Sequence, residues 1–132
     1  MKNILYLIIP CYNEEEVLPY TFKELNKEMD HLLKNNIISK ESKVVFIDDG
    51  SKDKTWELIK KESKNNNLFK GIKLSRNKGH QNALLAGLNY SLNKSNIVIS
   101  MDADLQDDIN AIEKMIQEYN NGSEIVYGVR SS

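Results

Sequence analysis

Ile4-Leu5-Tyr6-Leu7-Ile8-Ile9 is followed at once by Pro10-Cys11-Tyr12-Asn13-Glu14. An unbroken apolar run without polar alternation fits a strand buried on both faces, as in a parallel sheet with helices on either side. Working outward, short runs of the same kind recur at Val44-Val45-Phe46-Ile47, around Ile72-Lys73-Leu74, at Ile97-Val98-Ile99 and at Ile125-Val126-Tyr127. Helical patterns lie between them. Leu18, Phe22, Leu25, Met29 and Leu32 step by four and three residues and make one apolar stripe. A second helix is expected from about Asp53 to Ser63, with Ser51 or Asp53 as its N-cap. A third runs near Gly79 to Leu92, where Ala83, Ala86 and Gly87 are small enough to let a helix approach a sheet closely. The fourth puts Ile112, Met115, Ile116 and Tyr119 on one face, with Asp107 or Asp108 to cap it. Strand, helix, strand, repeated, means parallel strands joined by right-handed crossovers. The expectation is one α/β domain: an open, mostly parallel, Rossmann-like sheet with helices on both faces.

Composition narrows the function. The chain has 132 residues, 40% hydrophobic and 28% charged, which is the balance of one soluble globular domain. Its longest apolar run, Ile4 to Ile9, is far below the roughly 18 residues that suggest a transmembrane helix, and no cleavage site of small residues follows it. A formal net charge of −1 argues against broad capture of nucleic acid. One cysteine, Cys11, allows no internal disulfide and fits a reducing, cytoplasmic setting, or the cytoplasmic face of a membrane if further segments anchor the protein. With two histidines and one cysteine, little is left for a structural zinc site, so any metal would be a hard cation held by carboxylates.

The unusual polar residues all follow the C-terminal ends of the strands. Pro10 to Glu14 follow the first, Asp48-Asp49-Gly50-Ser51 the second, and Ser75-Arg76-Asn77-Lys78-Gly79-His80 the third; Asp102-Ala103-Asp104 follow the fourth and Arg130 the fifth. Open α/β sheets bind ligands in the crevice beyond those ends. Polar strand-to-helix turns also supply caps, but five such clusters on one edge read as a ligand site. Asp102 and Asp104, two residues apart where a strand becomes a turn, can converge on Mg²⁺ or Mn²⁺, and Gln106 can add a neutral oxygen. Asp107 and Asp108 read instead as helix caps. Asp49, more than Asp48, is expected to accept from a nucleotide base. Arg76, Lys78, His80 and Arg130 supply positive charge, and Asn77-Lys78-Gly79 leads into a helix N-terminus suited to a diphosphate. Neither Gly-x-Gly-x-x-Gly after the first strand nor Gly-x-x-x-x-Gly-Lys-Ser/Thr is present, against a dinucleotide dehydrogenase and a P-loop NTPase. An acyl-phosphate phosphatase also uses Asp-x-Asp after a strand, but its nucleophile strand comes first in the chain.

Taken together these pieces resemble the family 2 glycosyltransferases with a GT-A fold. The residues that carry the resemblance are Ile9 to Glu14, Ile47 to Ser51, Arg76 to Ala83, Met101 to Asp108 and Tyr127 to Arg130. Ala83-Leu84-Leu85-Ala86-Gly87-Leu88 ahead of Asp102-Ala103-Asp104-Leu105-Gln106-Asp107 is similar to the dolichol-phosphate mannose synthase and polyprenyl-phosphate sugar transferase branch. The resemblance implies that Pro10, Tyr12, Glu14, Ile47 and Asp49 line a nucleotide pocket. It further implies that Asp102, Ala103 and Asp104 meet ribose, diphosphate and metal, with Gln106 in the metal site, Arg130 near the phosphates and Asp104 as the catalytic acid of the pair. The implied partners are a UDP- or GDP-linked sugar donor and a polyprenyl (lipid) phosphate acceptor, with inversion at the anomeric carbon. Ile109 stands where relatives often carry proline. Two other expectations stay open: transfer to a saccharide hydroxyl, and a non-catalytic nucleotide-binding module that keeps the fold. The chain stops at Ser132 just past the fifth apolar run, which reads as a C-terminally truncated domain whose acceptor-binding and membrane segments lie elsewhere. An uncovered last strand there would offer an edge for pairing into a homo-oligomer.

Overall fold

β1 (Leu5–Cys11) is buried along its whole length, as its unbroken apolar run demands. The computed structural model describes residues 3–75, 80–105 and 109–120. After β1 come α1 (Leu18–Lys34), β2 (Lys43–Asp48), α2 (Thr55–Asn65), β3 (Phe69–Lys73), α3 (His80–Ser91), β4 (Ile97–Ser100) and α4 (Ala111–Asn120). All four strands are parallel, in the order β3-β2-β1-β4. The fifth apolar run, Ile125 to Tyr127, lies outside the described residues, as do Asp107 and Asp108.

The strand order dictates where the helices go. From β1 to β3 the chain steps outward in one direction; from β3 to β4 it returns across β1 and pairs on the far side. With right-handed crossovers, that reversal moves the connecting helix to the opposite face of the sheet. Two core clusters result. On one face Leu5, Leu7, Ile9 and Cys11 of β1 pack with the α1 stripe, Ile59 of α2, and Ile112 and Ile116 of α4. On the other, Tyr6 and Ile8 join Val45, Ile47 and Ala83, and α3 stands over them. Gly87 is the closest approach: a Cβ there would come within 2.4 Å of Ile8 Cγ2 and 2.5 Å of Ile47 Cδ1.

Some boundaries differ from the sequence reading, for physical reasons. α2 starts at Thr55, with Lys54 at the N-cap position and no side-chain cap of its own; neither Ser51 nor Asp53 occupies that position. Asp53 still serves the helix start, since its Oδ1 accepts from the Thr55 N–H at 2.9 Å. β3 begins earlier than Ile72, at Phe69, because the backbone pairs Phe69 and Lys70 with Val44 and Val45 although Lys70 and Gly71 interrupt the apolar pattern.

Candidate functional site

β1 outruns its neighbour β4. The β1–β4 ladder ends at Ile8 and Ser100, whereas β2 accompanies β1 to Cys11. The Ile8 carbonyl accepts from Met101 N on the β4 side, and the Cys11 carbonyl accepts from Asp49 N on the β2 side. Pro10, two residues beyond Ile8, therefore faces the β4 side where no strand continues. Its missing N–H costs no ladder bond there, which reconciles a proline with a central strand. The sheet opens at this point into a crevice between the ends of β1 and β4. That is also where the strand order reverses, the usual place for a ligand in an open α/β sheet.

The β1–α1 and β2–α2 turns are stitched into one platform beside the crevice. Asn13 takes a left-handed φ of 53°, which asparagine tolerates better than most residues. Its N–H donates to Ser51 Oγ at 2.8 Å and its Oδ1 accepts from Lys52 N at 2.9 Å. Glu14 N donates to Thr55 Oγ1 at 2.8 Å, and that hydroxyl donates onward to Asp53 Oδ1. Glu15 N reaches Asp53 Oδ2 at 3.3 Å, and Glu15 Oε1 accepts from Lys54 N at 3.2 Å. Partial burial pushes the Asp53 carboxyl up, but the hydrogen bonds from Thr55 and Glu15 outweigh it and hold the group below the ordinary carboxylate range. Gly50, with φ 73°, supplies the turn after β2.

Asp48 and Asp49 are both buried. Asp48 Oδ1 accepts from Ser51 N at 3.2 Å, while its Oδ2 is buried with no partner among the described residues. Pro10 and Ile47 are register partners and both buried, and the Ile47 side chain lies in the core under α3. Both lie near the C-terminal ends of their strands, and Tyr12, just past β1, is 39% exposed.

On the β4 side, Met101 and Ala103 are buried in the core, whereas Asp102 is half-buried and Asp104 exposed. The two-residue spacing thus leaves both carboxylates off the core while the alanine between them anchors the turn. Leu105 N closes that turn on the Asp102 carbonyl at 3.1 Å. Leu105 itself has φ 53°, a left-handed conformation that a branched side chain avoids unless its surroundings enforce it; here the side chain packs against the core. Glu14 completes the group. Burial pushes its carboxyl above the ordinary range, and the charges of Asp104, Asp102 and Asp53 push it further. Among the described residues no set of three His, Cys, Asp or Glu side chains encloses a metal ion by itself. Cys11 is buried, its Sγ donating to the Ile9 carbonyl at 3.4 Å, and burial first, then Glu14 and Asp48, raise its thiol well above the usual range. It stays protonated and offers no nucleophile.

The structure thus brings Pro10, Tyr12, Glu14, Ile47, Asp49, Asp102, Ala103 and Asp104 to one edge of the sheet. Lys78, Gln106 and Arg130 lie outside the described residues. The sequence reading missed Asn13, Thr55 and Thr21, whose hydroxyl lies 2.5 Å from the Ala103 carbonyl oxygen. Thr21 had a signal: it is the polar residue inside the apolar stripe of α1, and a polar group on a buried face requires a partner.

Comparison with known proteins agrees with this geometry. The family model described as glycosyl transferase family 2 matches residues 6–132. The uncharacterized glycosyltransferase YkoT of Bacillus subtilis (strain 168) is 51% identical over 131 residues, covering 99% of this chain and 39% of that protein. The bactoprenol glucosyl transferase of Shigella phage SfX is 34% identical over 125 residues, 95% of this chain and 38% of that one. The chain therefore spans about two-fifths of the length of these curated relatives. Among solved structures, TarS of S. aureus (residues 1–349) in complex with UDP-GlcNAc superposes with a TM-score of 0.64 at 23% identity, over 89% of this chain and 30% of that one. The mannosyltransferase PcManGT from Pyrobaculum calidifontis, in complex with GDP-Man and Mn²⁺, superposes with a TM-score of 0.60 at 21% identity, over 79% of this chain and 28% of that one. These likenesses establish a GT-A fold. With β2, β3, β4, the acidic turn after β4 and β1 from Tyr6 onward inside the matched region, the chain belongs to glycosyl transferase family 2.

Proposed function

We propose that this chain forms the donor-binding part of a glycosyltransferase that moves a sugar from a UDP- or GDP-linked donor to a polyprenyl phosphate, assisted by Mg²⁺ or Mn²⁺, with inversion at the anomeric carbon. The observation that carries the reading is the placement of the Glu14 turn and the Asp102-Ala103-Asp104 turn after the adjacent strands β1 and β4, where β1 outruns β4 and the strand order reverses. Burial, then Asp104 and Asp102, disfavour negative charge at Glu14, and a cation beside it would offset that. Hard divalent cations are commonly held by one or two carboxylates and completed by substrate phosphates, so an incomplete protein cage suits a shared metal–diphosphate site. Asp102 and Asp104 are assigned as the metal-binding acids, Asp104 being the catalytic one, with Gln106 beside them. Asp49, Pro10, Ile47 and Tyr12 are assigned to the base. Lys78 and Arg130 are assigned to the diphosphate.

The chemistry follows from charge. An oxygen of the acceptor phosphate attacks the anomeric carbon; the bond from that carbon to the diphosphate oxygen breaks, and its electron pair leaves with the nucleoside diphosphate. A divalent cation would offset the charge developing on that leaving group, as would Arg130. A phosphate monoester, with a second pKa of about 6, is largely ionised at neutral pH and needs no strong general base. The lipid acceptor rests on the bactoprenol glucosyl transferase relatives. Among the described residues no helix is long and apolar enough to cross a membrane.

Calorimetric titration of the chain with UDP and GDP, with and without Mn²⁺, tests the donor site. Metal-dependent binding of one nucleotide is expected, lost in the Asp102→Asn/Asp104→Asn double variant. A folded chain that binds neither nucleotide overturns the reading. Equal binding by the double variant, with or without metal, would instead assign the pocket to a metal-independent module.

A further inference from the structure

We propose that Thr21, on α1, is the residue that positions the Asp102-Ala103-Asp104 turn for its ligand, an inference that rests on the donor-site reading. Thr21 is fully buried in the α1 stripe. A threonine in a helix ordinarily returns its hydroxyl proton to the carbonyl four residues back. Here that partner, Val17 O, lies at 3.1 Å and already accepts from Thr21 N at 3.0 Å. Ala103 O lies at 2.5 Å, at the short end for a hydroxyl donor. One proton cannot serve both acceptors fully. The shorter contact takes it, and so α1 grips a backbone atom 82 residues further along the chain.

The gripped atom is the middle of the acidic turn. Met101 N is tied to the Ile8 carbonyl at 3.0 Å, and Leu105 N closes on Asp102 O at 3.1 Å. Between these ties the Ala103 carbonyl is the point that sets how the peptides on either side are rotated. Asp102 and Asp104 are borne on the backbone that these peptides fix. The left-handed φ of Leu105 adds strain that relaxes if the turn is released, so several interactions must over-determine it. Removing the Thr21 hydroxyl leaves a buried carbonyl without this donor and lets the two carboxylates scatter. Pre-organisation of a site by such supporting hydrogen bonds is where ligand affinity is gained. Thr21 touches no ligand in this scheme and acts only through the turn.

The test uses Thr21→Val, which keeps the shape and deletes the hydroxyl, and Thr21→Ser, which keeps the hydroxyl. Amide hydrogen exchange is measured on the full chain, followed by titration with UDP and GDP with and without Mn²⁺. The valine variant should exchange faster at Ala103 to Leu105 while amides in β1 and β2 stay protected. Its metal-dependent nucleotide affinity should fall by about tenfold, its metal-free affinity should hold, and serine should restore both readouts. Unchanged exchange at Ala103 to Leu105, or equal loss of metal-dependent and metal-free binding, overturns the positioning role. Thr21→Ala carries the same measurements if the valine variant does not fold. A wild-type chain that binds no nucleotide overturns the donor site and the service assigned to Thr21 with it. That result is distinct from a valine variant that binds as well as wild type, which sinks Thr21 alone.

Discussion

Thr55, at the first turn of α2, accepts the Glu14 N–H on its hydroxyl and passes its own proton to Asp53 Oδ1. Asp53 thereby fixes two loops at once, taking Thr55 N on one oxygen and Glu15 N on the other. Asp53→Ala should cost about 0.5–1.5 kcal/mol at neutral pH, the usual net range for hydrogen bonds lost at a part-exposed site. The pH dependence has a definite sign. The Asp53 carboxyl is held below its ordinary range in the folded chain, so its stabilisation is present above the unfolded aspartate value and fades as pH falls through the lower, folded one. Urea unfolding of wild type and variant across the acid range checks this. The gap between them should narrow toward low pH, and a gap that widens there contradicts the assignment.

At the scale of elements, α3 is the helix that packs on its face of the sheet among the described residues, and it lies very close to it. The sequence signal was the small residues Ala83, Ala86 and Gly87, and Ala83 and Gly87 are indeed buried. Glycine in a helix interior normally costs roughly 1 kcal/mol relative to alanine. Here the order reverses, because the added methyl would meet Ile8 Cγ2 and Ile47 Cδ1 at 2.4 and 2.5 Å, and both isoleucines are fully buried. Overpacking of this kind costs about 1–3 kcal/mol. Gly87→Ala should therefore lower Tm, whereas propensity alone would raise it, and a thermal melt decides between them. Ile47, which the resemblance assigns to the nucleotide pocket, is packed directly under α3.

Across the whole molecule, Phe22, Phe46 and Phe69 join α1, β2 and β3 in one aromatic cluster. Phe22 and Phe46 meet edge-on at 5.1 Å, and Phe46 and Phe69 at 5.3 Å. Phe46 is fully buried between the other two. Phe46→Leu should cost about 1–3 kcal/mol through lost area and lost edge-to-face contacts. A lowered denaturation midpoint with an unchanged slope is expected, since the core stays one cooperative unit. A changed slope would mean that the two faces of the sheet unfold separately.

The amino-acid sequence determined the alternation of strands and helices, the apolar stripes of α1 and α4, and the polar residues that follow each strand. These are local properties: period, propensity and turn chemistry act over a few residues, and Ile4 to Ile9 or Leu18 to Leu32 carry them unaided. Only the tertiary structure placed β4 beside β1 instead of beyond β3, because nothing in periodicity records which strand pairs with which. That one placement sets the Asp102-Ala103-Asp104 turn beside the end of β1, from which the Glu14 turn follows. It also opens the crevice past Ser100 and sets the Ala103 carbonyl on Thr21. Residue types named the chemistry at each strand end, but its convergence depends on contacts between residues far apart in the chain, such as Thr21 and Ala103 82 positions on, set by packing of the whole sheet.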